Sequence, residues 1–261
     1  MSVPPYFNLS LAKGLAILEL IAARNGALTL TDIARTLNLD KATAKRFLST
    51  LIDLGYITSI PVGKTFAVSL KTVQLGYSAL SGLAWREIAR AYLEELHNEI
   101  QETVSASTLD GDSILYVIRL PKPGVYIHGA IGMRRPAYIS SMGKMLLALE
   151  PNDVMTRIVG NMDMVPLTPY TLRSHEALLL ELEQTKLQGY AVSDQEFSEF
   201  TRSIAVPIIF RNRPVAAFNV AVLVENYTLE QLVETVLPRM RHYARQISNA
   251  LDQTECELPP S

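Results

Sequence analysis

The chain has 261 residues against a soft figure of ~150 per domain, so two modest domains are expected. With 48% hydrophobic and 19% charged residues it is too apolar for a disordered chain and too varied for a fibre. A formal charge of −2 excludes an indiscriminate polycation, and a single cysteine, Cys256 in the tail, excludes an intramolecular disulfide framework or a cysteine-rich zinc module.

The average charge conceals a division. Residues 1–70 carry seven Lys and Arg against four acids, a net of +3, whereas residues 71–261 carry −5. A small basic module followed by a larger acidic one is therefore expected. In the first, Leu11, Leu15, Leu18 and Ile21/Ala22 recur at helical spacing, and Gly26 supplies a stop. Thr31 is the expected N-cap of a short helix, Asp32 to Leu37, which buries Ile33, Ala34 and Leu37. After a turn at Asn38-Leu39, Asp40 caps a third helix to about Leu54, with Ala44, Phe47, Leu48 and Leu51 as its apolar stripe. Gly55 ends it. Tyr56 to Ile60 and Thr65 to Val68 are β-prone and joined by Pro61-Val62-Gly63-Lys64, so they form a hairpin.

A helical stretch runs from about Leu70 to Gln101, broken near Ser81-Gly82. Beyond it, Val104 to Leu109 and Ser113 to Arg119 flank Asp110-Gly111-Asp112, a strong hairpin signal. Further strands are expected at Gly124 to Ala130, Arg135 to Ser140, Tyr190 to Ser193, Ser203 to Phe210 and Val215 to Val224. Helices fit Met142 to Leu149, Asn152 to Val159 and His175 to Gln188. A last helix starts at Thr228, which forms a capping box with Gln231, and Pro238 should kink it. The fold class is α+β, an antiparallel sheet with helices on its faces. The N-terminus lacks the pattern of a signal peptide, and Val215 to Val224 is about half the ~20 residues a membrane span needs. The cytoplasm is the expected compartment, without a membrane partner.

Two short helices joined by a tight turn, followed by a hairpin as a wing, fit the major groove of B-DNA. With the third helix's apolar stripe inward, Lys41, Thr43, Lys45, Arg46, Ser49 and Thr50 remain exposed, and Lys64 sits at the wing tip. Arg can bond two guanine acceptors, Thr offers a hydroxyl and a methyl, and Lys neutralises phosphate. An ordinary solvated helix face would carry similar charges, but the wing and the basic surroundings favour DNA.

Enzyme motifs are missing. His97, His128, His175 and His242 lack metal-ligand spacing, there is no G-x-S-x-G, and Gly143-Lys144 lacks the earlier glycine of a phosphate loop. No cofactor, metal or catalytic residue is expected. Asp194, Glu196 and Glu199 read as a solvated loop beside a strand end. In GMRRPAYISSMGK (132–144), Ser140 or Ser141 can cap a helix whose N-terminus favours an anion, and a neighbouring arginine could receive a carboxylate. Asn219 stands on a strongly apolar strand. Buried there it needs a partner, since an unpaired amide costs roughly 1–3 kcal/mol, and a ligand could supply one.

Residues 10–56, SLAKGLAILELIAA…LTLTDIARTLNLDKATAKRFLSTLIDLGY, resemble the winged helix–turn–helix of the IclR family of bacterial regulators. GMRRPAYISSMGKMLLA (132–148) and YAVSDQEFSEFTRSIAVPI (190–208) resemble two blocks of its effector domain, and within the family they look closest to regulators of 4-hydroxybenzoate and protocatechuate breakdown. The resemblance implies a DNA-binding domain over 1–70, a linker helix over 71–84 and a GAF-like effector domain over 85–261. It also implies a homodimer, extending to a dimer of dimers, on double-stranded operator DNA. The implied effector is a small organic or aromatic acid such as 4-hydroxybenzoate, protocatechuate or 3-oxoadipate. Carried over by motif, its contacts fall at Met133, Arg134, Tyr138, Ser140, Ser141, Ser193, Ser203, Asn219 and Ala221. Arg134 and the serines suit a carboxylate; Met133 and Tyr138 suit a ring. Arg135 stands where many relatives are apolar, which leaves open which arginine turns inward. An activator of an aromatic-acid operon is the implied role. The alternatives are a repressor answering a non-aromatic acid, an enzyme on a GAF-like scaffold, which would need reactive cysteines in its core, and an architectural DNA-binding module.

Overall fold

A computed structural model describes residues 6–24 and 28–254. Gly26 and Cys256 lie outside them. The chain divides into two compact units, Met1–Ala79 and Leu80–Ser261.

The first unit holds α1 (Leu9–Ala23), β1 (Leu28–Thr29), α2 (Leu30–Thr36), α3 (Lys41–Asp53), β2 (Ile57–Ile60), β3 (Thr65–Val68) and most of α4 (Lys71–Ser81). Its core is Ile17, Ile21, Ile33, Leu48 and Ile57. α1 follows only the second half of the expected stripe: Ile21 is buried and Leu18 half-buried, but Leu11 and Leu15 are exposed and Ile17 takes the inward position instead. Leucines on several sides of this helix make its apolar period ambiguous, and packing against α2 and α3 selects one face. α2 begins earlier than expected. Thr29, not Thr31, is the N-cap, because Asp32 stands three residues on and closes a reciprocal capping box. Asp40 caps α3 through the Thr43 amide at 2.8 Å, and Gly55 follows with φ of 78°. β2 and β3 form the expected hairpin, with β1 added on the free edge of β3.

The second unit starts with α5 (Ala84–Ile100) and builds a six-stranded antiparallel sheet from β4 (Thr103–Asp110), β5 (Ser113–Leu120), β6 (Arg134–Pro136), β7 (Ala191–Asp194), β8 (Thr201–Phe210) and β9 (Arg213–Leu223). The strand order is β6-β5-β4-β9-β8-β7. Between β6 and β7 lie α6 (Ser141–Leu149), α7 (Asn152–Gly160) and α8 (His175–Gln188); α9 (Leu229–Gln231) and α10 (Leu237–Asp252) follow β9.

Strand alternation assigns the two faces. On β9, Phe218, Val220 and Val222 join Ile204, Val206 and Ile208 of β8 against α5 and α10. The intervening Ala217, Asn219 and Ala221 point to the other face, towards α6. That face is floored by small residues. One cross-strand row reads Ala191, Ala205, Asn219, Ser105, Arg119; the next reads Ser193, Ser203, Ala221, Thr103. Small side chains let α6 lie close. At Gly143 a Cβ would overlap the backbone of Ala137, so only glycine fits there.

Three expected elements change. Gly124 to Ala130 forms no strand, because arginine side chains take two of its carbonyls and no neighbouring strand pairs with it. The strand expected over Arg135 to Ser140 is only β6, followed by a 3₁₀ turn over Ala137–Ile139. The final helix starts at the Thr228–Gln231 capping box as expected. Upstream of Pro238 a π turn, Leu232–Val236, widens the helix, which restarts at Leu237 with proline in its first turn, where no donor is required.

Candidate functional site

In the first unit, α3 turns Ala44 and Leu48 inward, which leaves Lys41, Lys45, Arg46, Ser49 and Thr50 exposed and Thr43 half-buried. Lys64 is exposed at the wing. Among the described residues none of Lys41, Lys45, Arg46 or Lys64 joins a salt bridge; the unit's one ion pair is Arg35 with Asp32. Four cations without acidic partners on one helix and its wing are chemistry suited to a polyanion.

In the second unit, a small, partly enclosed cavity sits on the small-residue face of the sheet. Its volume is about 20 Å³, room for roughly one water. Ser140, Ser193, Ser203, Asn219 and Ala221 line it, as do Tyr116, Arg119, Ile127, Arg135, Ile139, Phe197, Thr201 and Arg202. Ser193 donates to the Ile139 carbonyl at 2.9 Å, and Ser141 and Ser203 share a hydrogen bond of 2.8 Å. Ser140 holds the N-cap position of α6, but neither it nor Ser141 caps the helix with its side chain. The Asn219 Oδ1 is buried without a hydrogen-bond partner.

Three guanidiniums reach this cavity. Arg202 is met by Asp194 at 3.0 Å and donates to the Tyr227 carbonyl at 2.9 Å. Arg119 donates to Ser105 Oγ at 2.8 Å and to the Ile127 carbonyl. Arg135 donates to the His128 carbonyl at 2.7 Å and lies 3.7 Å from the centre of the Phe197 ring. Burial lowers the pKa of both Arg119 and Arg135 below the ordinary arginine value.

The remaining expected contacts stand elsewhere. Arg134 is exposed and pairs with Asp110. Pairing register explains the exchange. Arg135 is opposite Ile114, on the cavity face with Tyr116, whereas Arg134 is opposite Leu115, on the other face. Met133 packs against the core between sheet and α6, and Tyr138 is buried there with its hydroxyl donating to the Val165 carbonyl at 2.7 Å. Arg119 has no motif signal; it is found only once β5 is placed beside Ser105 of β4.

The acidic loop is not solvated as expected. Glu199 is exposed, but Asp194 pairs with Arg202 and Glu196 is buried. Lys144, fully buried, donates to Glu196 at 2.6 Å, to Glu181 and to the Val192 carbonyl at 3.1 Å. Desolvation is the main cause that pushes the Glu196 carboxyl up to about 7, against the pull of Lys144. A lysine inside the apolar run of α6 was the sequence signal for this pair.

Comparison with known proteins is decisive at this point. A family model described as bacterial transcriptional regulator IclR C-terminal matches residues 77–249, and the IclR helix-turn-helix domain matches residues 10–61. The chain belongs to the IclR family of bacterial transcriptional regulators. It is 34% identical over 250 residues to the Pca regulon regulatory protein of Pseudomonas putida, covering 95% of this chain and 85% of that protein. It is 28% identical over 246 residues to the p-hydroxybenzoate hydroxylase transcriptional activator of Acinetobacter baylyi, covering 92% and 90%. Its fold matches an IclR homolog from Microbacterium hydrocarbonoxydans, solved in complex with 4-hydroxybenzoate, with a TM-score of 0.79 at 23% identity over 94% of this chain and all of that one. As an IclR-family chain it carries the DNA-binding unit ahead of the effector unit, in the α+β architecture described above. Among the described residues no helix is long and apolar enough to cross a membrane, and no group of three or more His, Cys, Asp or Glu could hold a metal.

Proposed function

We propose that this IclR-family chain regulates an aromatic-acid catabolic operon, binding operator DNA through α3 and answering a small carboxylate in the cavity of its second unit. The observation that carries this reading is the pair of guanidiniums, Arg119 and Arg135, facing a polar cavity in a chain related to regulators of the pca genes and of p-hydroxybenzoate hydroxylase. The 4-hydroxybenzoate held by the Microbacterium homolog supports an acid of this kind. Lys41, Thr43, Lys45, Arg46 and Ser49 read or position DNA, and Lys64 of the wing meets a phosphate. Ser140, Ser193, Ser203, Asn219 and Ala221 contact the acid, with Ser141 acting through Ser203. Met133 and Tyr138 support the walls from behind. Arg135 takes the carboxylate role first expected of Arg134.

The division into 1–70, 71–84 and 85–261 is kept as the functional one: reading head, linker, sensor. The exposed Leu9, Leu11 and Leu15 of α1 and Val73 and Tyr77 of α4 support a homodimer, which can pair further into a dimer of dimers. Such a dimer meets half-sites about one helical turn apart, ~34–36 Å, or a multiple of it. The chain is a cytoplasmic regulator without catalysis of its own, and activation is the preferred sense.

An operator isolated by selection from random duplex DNA tests the reading. At fixed salt, binding to that operator should exceed binding to random DNA by about 10³-fold or more. Arg46→Ala should weaken operator binding by about 1–3 kcal/mol. Equal affinity for operator and random DNA, or an unchanged affinity in the variant, contradicts it.

A further inference from the structure

The linker helix α4 is fixed to the first unit by its first turn. No side chain of α4 is buried, and Val73, Leu75 and Tyr77 are exposed along it. A helix without a buried face takes its direction from its ends rather than from a core. α1, by contrast, is held against α3 by the shared core residues Ile17, Ile21 and Leu48.

The first turn of α4 is held by a clasp. The Ser69 amide donates to the Tyr56 carbonyl at 2.8 Å, and the Ser69 hydroxyl donates to the Gly55 carbonyl while accepting from the Lys71 amide at 3.2 Å. The Lys71 ammonium donates to the Leu54 carbonyl at 2.8 Å and lies 4.6 Å from the centre of the Tyr56 ring. Apart from the bond inside the turn, each of these contacts ends on Leu54, Gly55 or Tyr56, the residues that terminate α3. Among the described residues no other side chain of α4 bonds to the chain ahead of Ser69.

A cation at a helix C-terminus is a common stabiliser, and it ordinarily comes from the helix's own last turn. α3 has no basic residue there. Its cation arrives from the next helix, 17 residues beyond Leu54, so the bond that caps α3 also ties α4 to it.

We propose that Lys71, seated on Tyr56, is a specificity-determining residue that reads no base: it fixes the angle between α3 and α4, and with it the half-site spacing that the dimer accepts. In a two-fold dimer joined through the exposed faces of α1 and α4, the distance between the two α3 helices is only as fixed as the less constrained of those elements. One base pair added between half-sites moves one of them by about 3.4 Å along the duplex and turns it by about a tenth of a helical turn. A held α4 rejects that change, whereas a free one follows it. This rests on the homodimer and operator-binding reading above and adds to it a positioning residue outside α3.

An operator selected from random duplex DNA, with its spacer lengthened and shortened by one and by two base pairs, tests the assignment on the full-length chain at fixed salt. The wild type should bind the one-base-pair changes at least about tenfold more weakly than the selected spacing. Lys71→Met should reduce that penalty to about twofold or less, with base preference inside each half-site and the melting temperature near wild type. Lys71→Arg keeps a cation and a donor over the ring and should restore the penalty. Tyr56→Leu removes the ring and should relax spacing in the same way; it decides should Lys71→Met unfold. A wild type indifferent to spacing, or a spacing profile unchanged in Lys71→Met or unrestored in Lys71→Arg, overturns the spacing role while the operator reading stands. Loss of binding at every spacing in Lys71→Met, at an unchanged melting temperature, also overturns it and makes Lys71 a DNA contact. A wild type that binds random DNA as tightly as the selected operator overturns both.

Discussion

At Glu196, burial and charge act in opposite directions. One oxygen receives the Lys144 ammonium at 2.6 Å and the other is buried without a partner. Lys144 also serves Glu181, so one cation is shared by two carboxylates. Taking the group out of water raises its affinity for a proton, and the second carboxylate adds to that. The folded-state value of about 7 lies above the ordinary 4.5, so between these limits the folded chain holds more proton than the unfolded one. Stability from this group is therefore present at low pH and is lost as pH rises through about 7. Glu196→Gln cannot titrate. Melting curves from about pH 5 to pH 8 should move in favour of the variant relative to wild type as pH rises, and parallel curves would contradict the assignment. The neighbouring Phe197 ring covers Arg135, so the Lys144–Glu196 pair also fixes the backbone that closes one side of the cavity.

At the level of elements, α6 depends on one missing side chain. Gly143 lets the helix lie on the turn at Ala137, and Gly143→Ala forces the two backbones apart. Overpacking of this kind costs typically about 1–3 kcal/mol, so the variant should melt lower in thermal unfolding; a wild-type melting temperature would show that the turn yields freely. Sequence made α3, α8 and the strands β4, β5, β8 and β9 legible, because caps, turn residues and alternation agree there. Asp40 and Gly55 bracket α3, and His175–Gln188 is bounded as expected. What was hidden depends on partners distant in the chain. The stretch from Gly124 to Ala130 has β-prone residues, but its carbonyls are taken by Arg119 and Arg135. Thr29 rather than Thr31 caps α2 through Asp32, a local signal carried by the three-residue spacing of the capping box. Of the cavity, the serines and Asn219 were legible from motif and from polarity on an apolar strand. Arg119 and the inward turn of Arg135 were not, since both are fixed by strand register.

Across the whole molecule, the charge of −2 divides into a basic reading unit and an acidic sensor. A head of only +3 cannot rely on bulk attraction, so the proposed reading assigns specificity to a few placed side chains of α3 and to the symmetry of the proposed dimer. What the average excludes is the non-specific polycation alone. Regulation requires that the acid bind the operator-competent and operator-incompetent states with different affinity, and coupling of this kind is typically about 5–150-fold. The central claim is therefore best tested by operator affinity with and without a saturating acid, 4-hydroxybenzoate or protocatechuate, in wild type and in Arg135→Met at the same concentration. A change of about fivefold or more in the wild type, absent from the variant, is the predicted result. An operator affinity that stays the same in the wild type, with calorimetry confirming that the acid is bound, would contradict it.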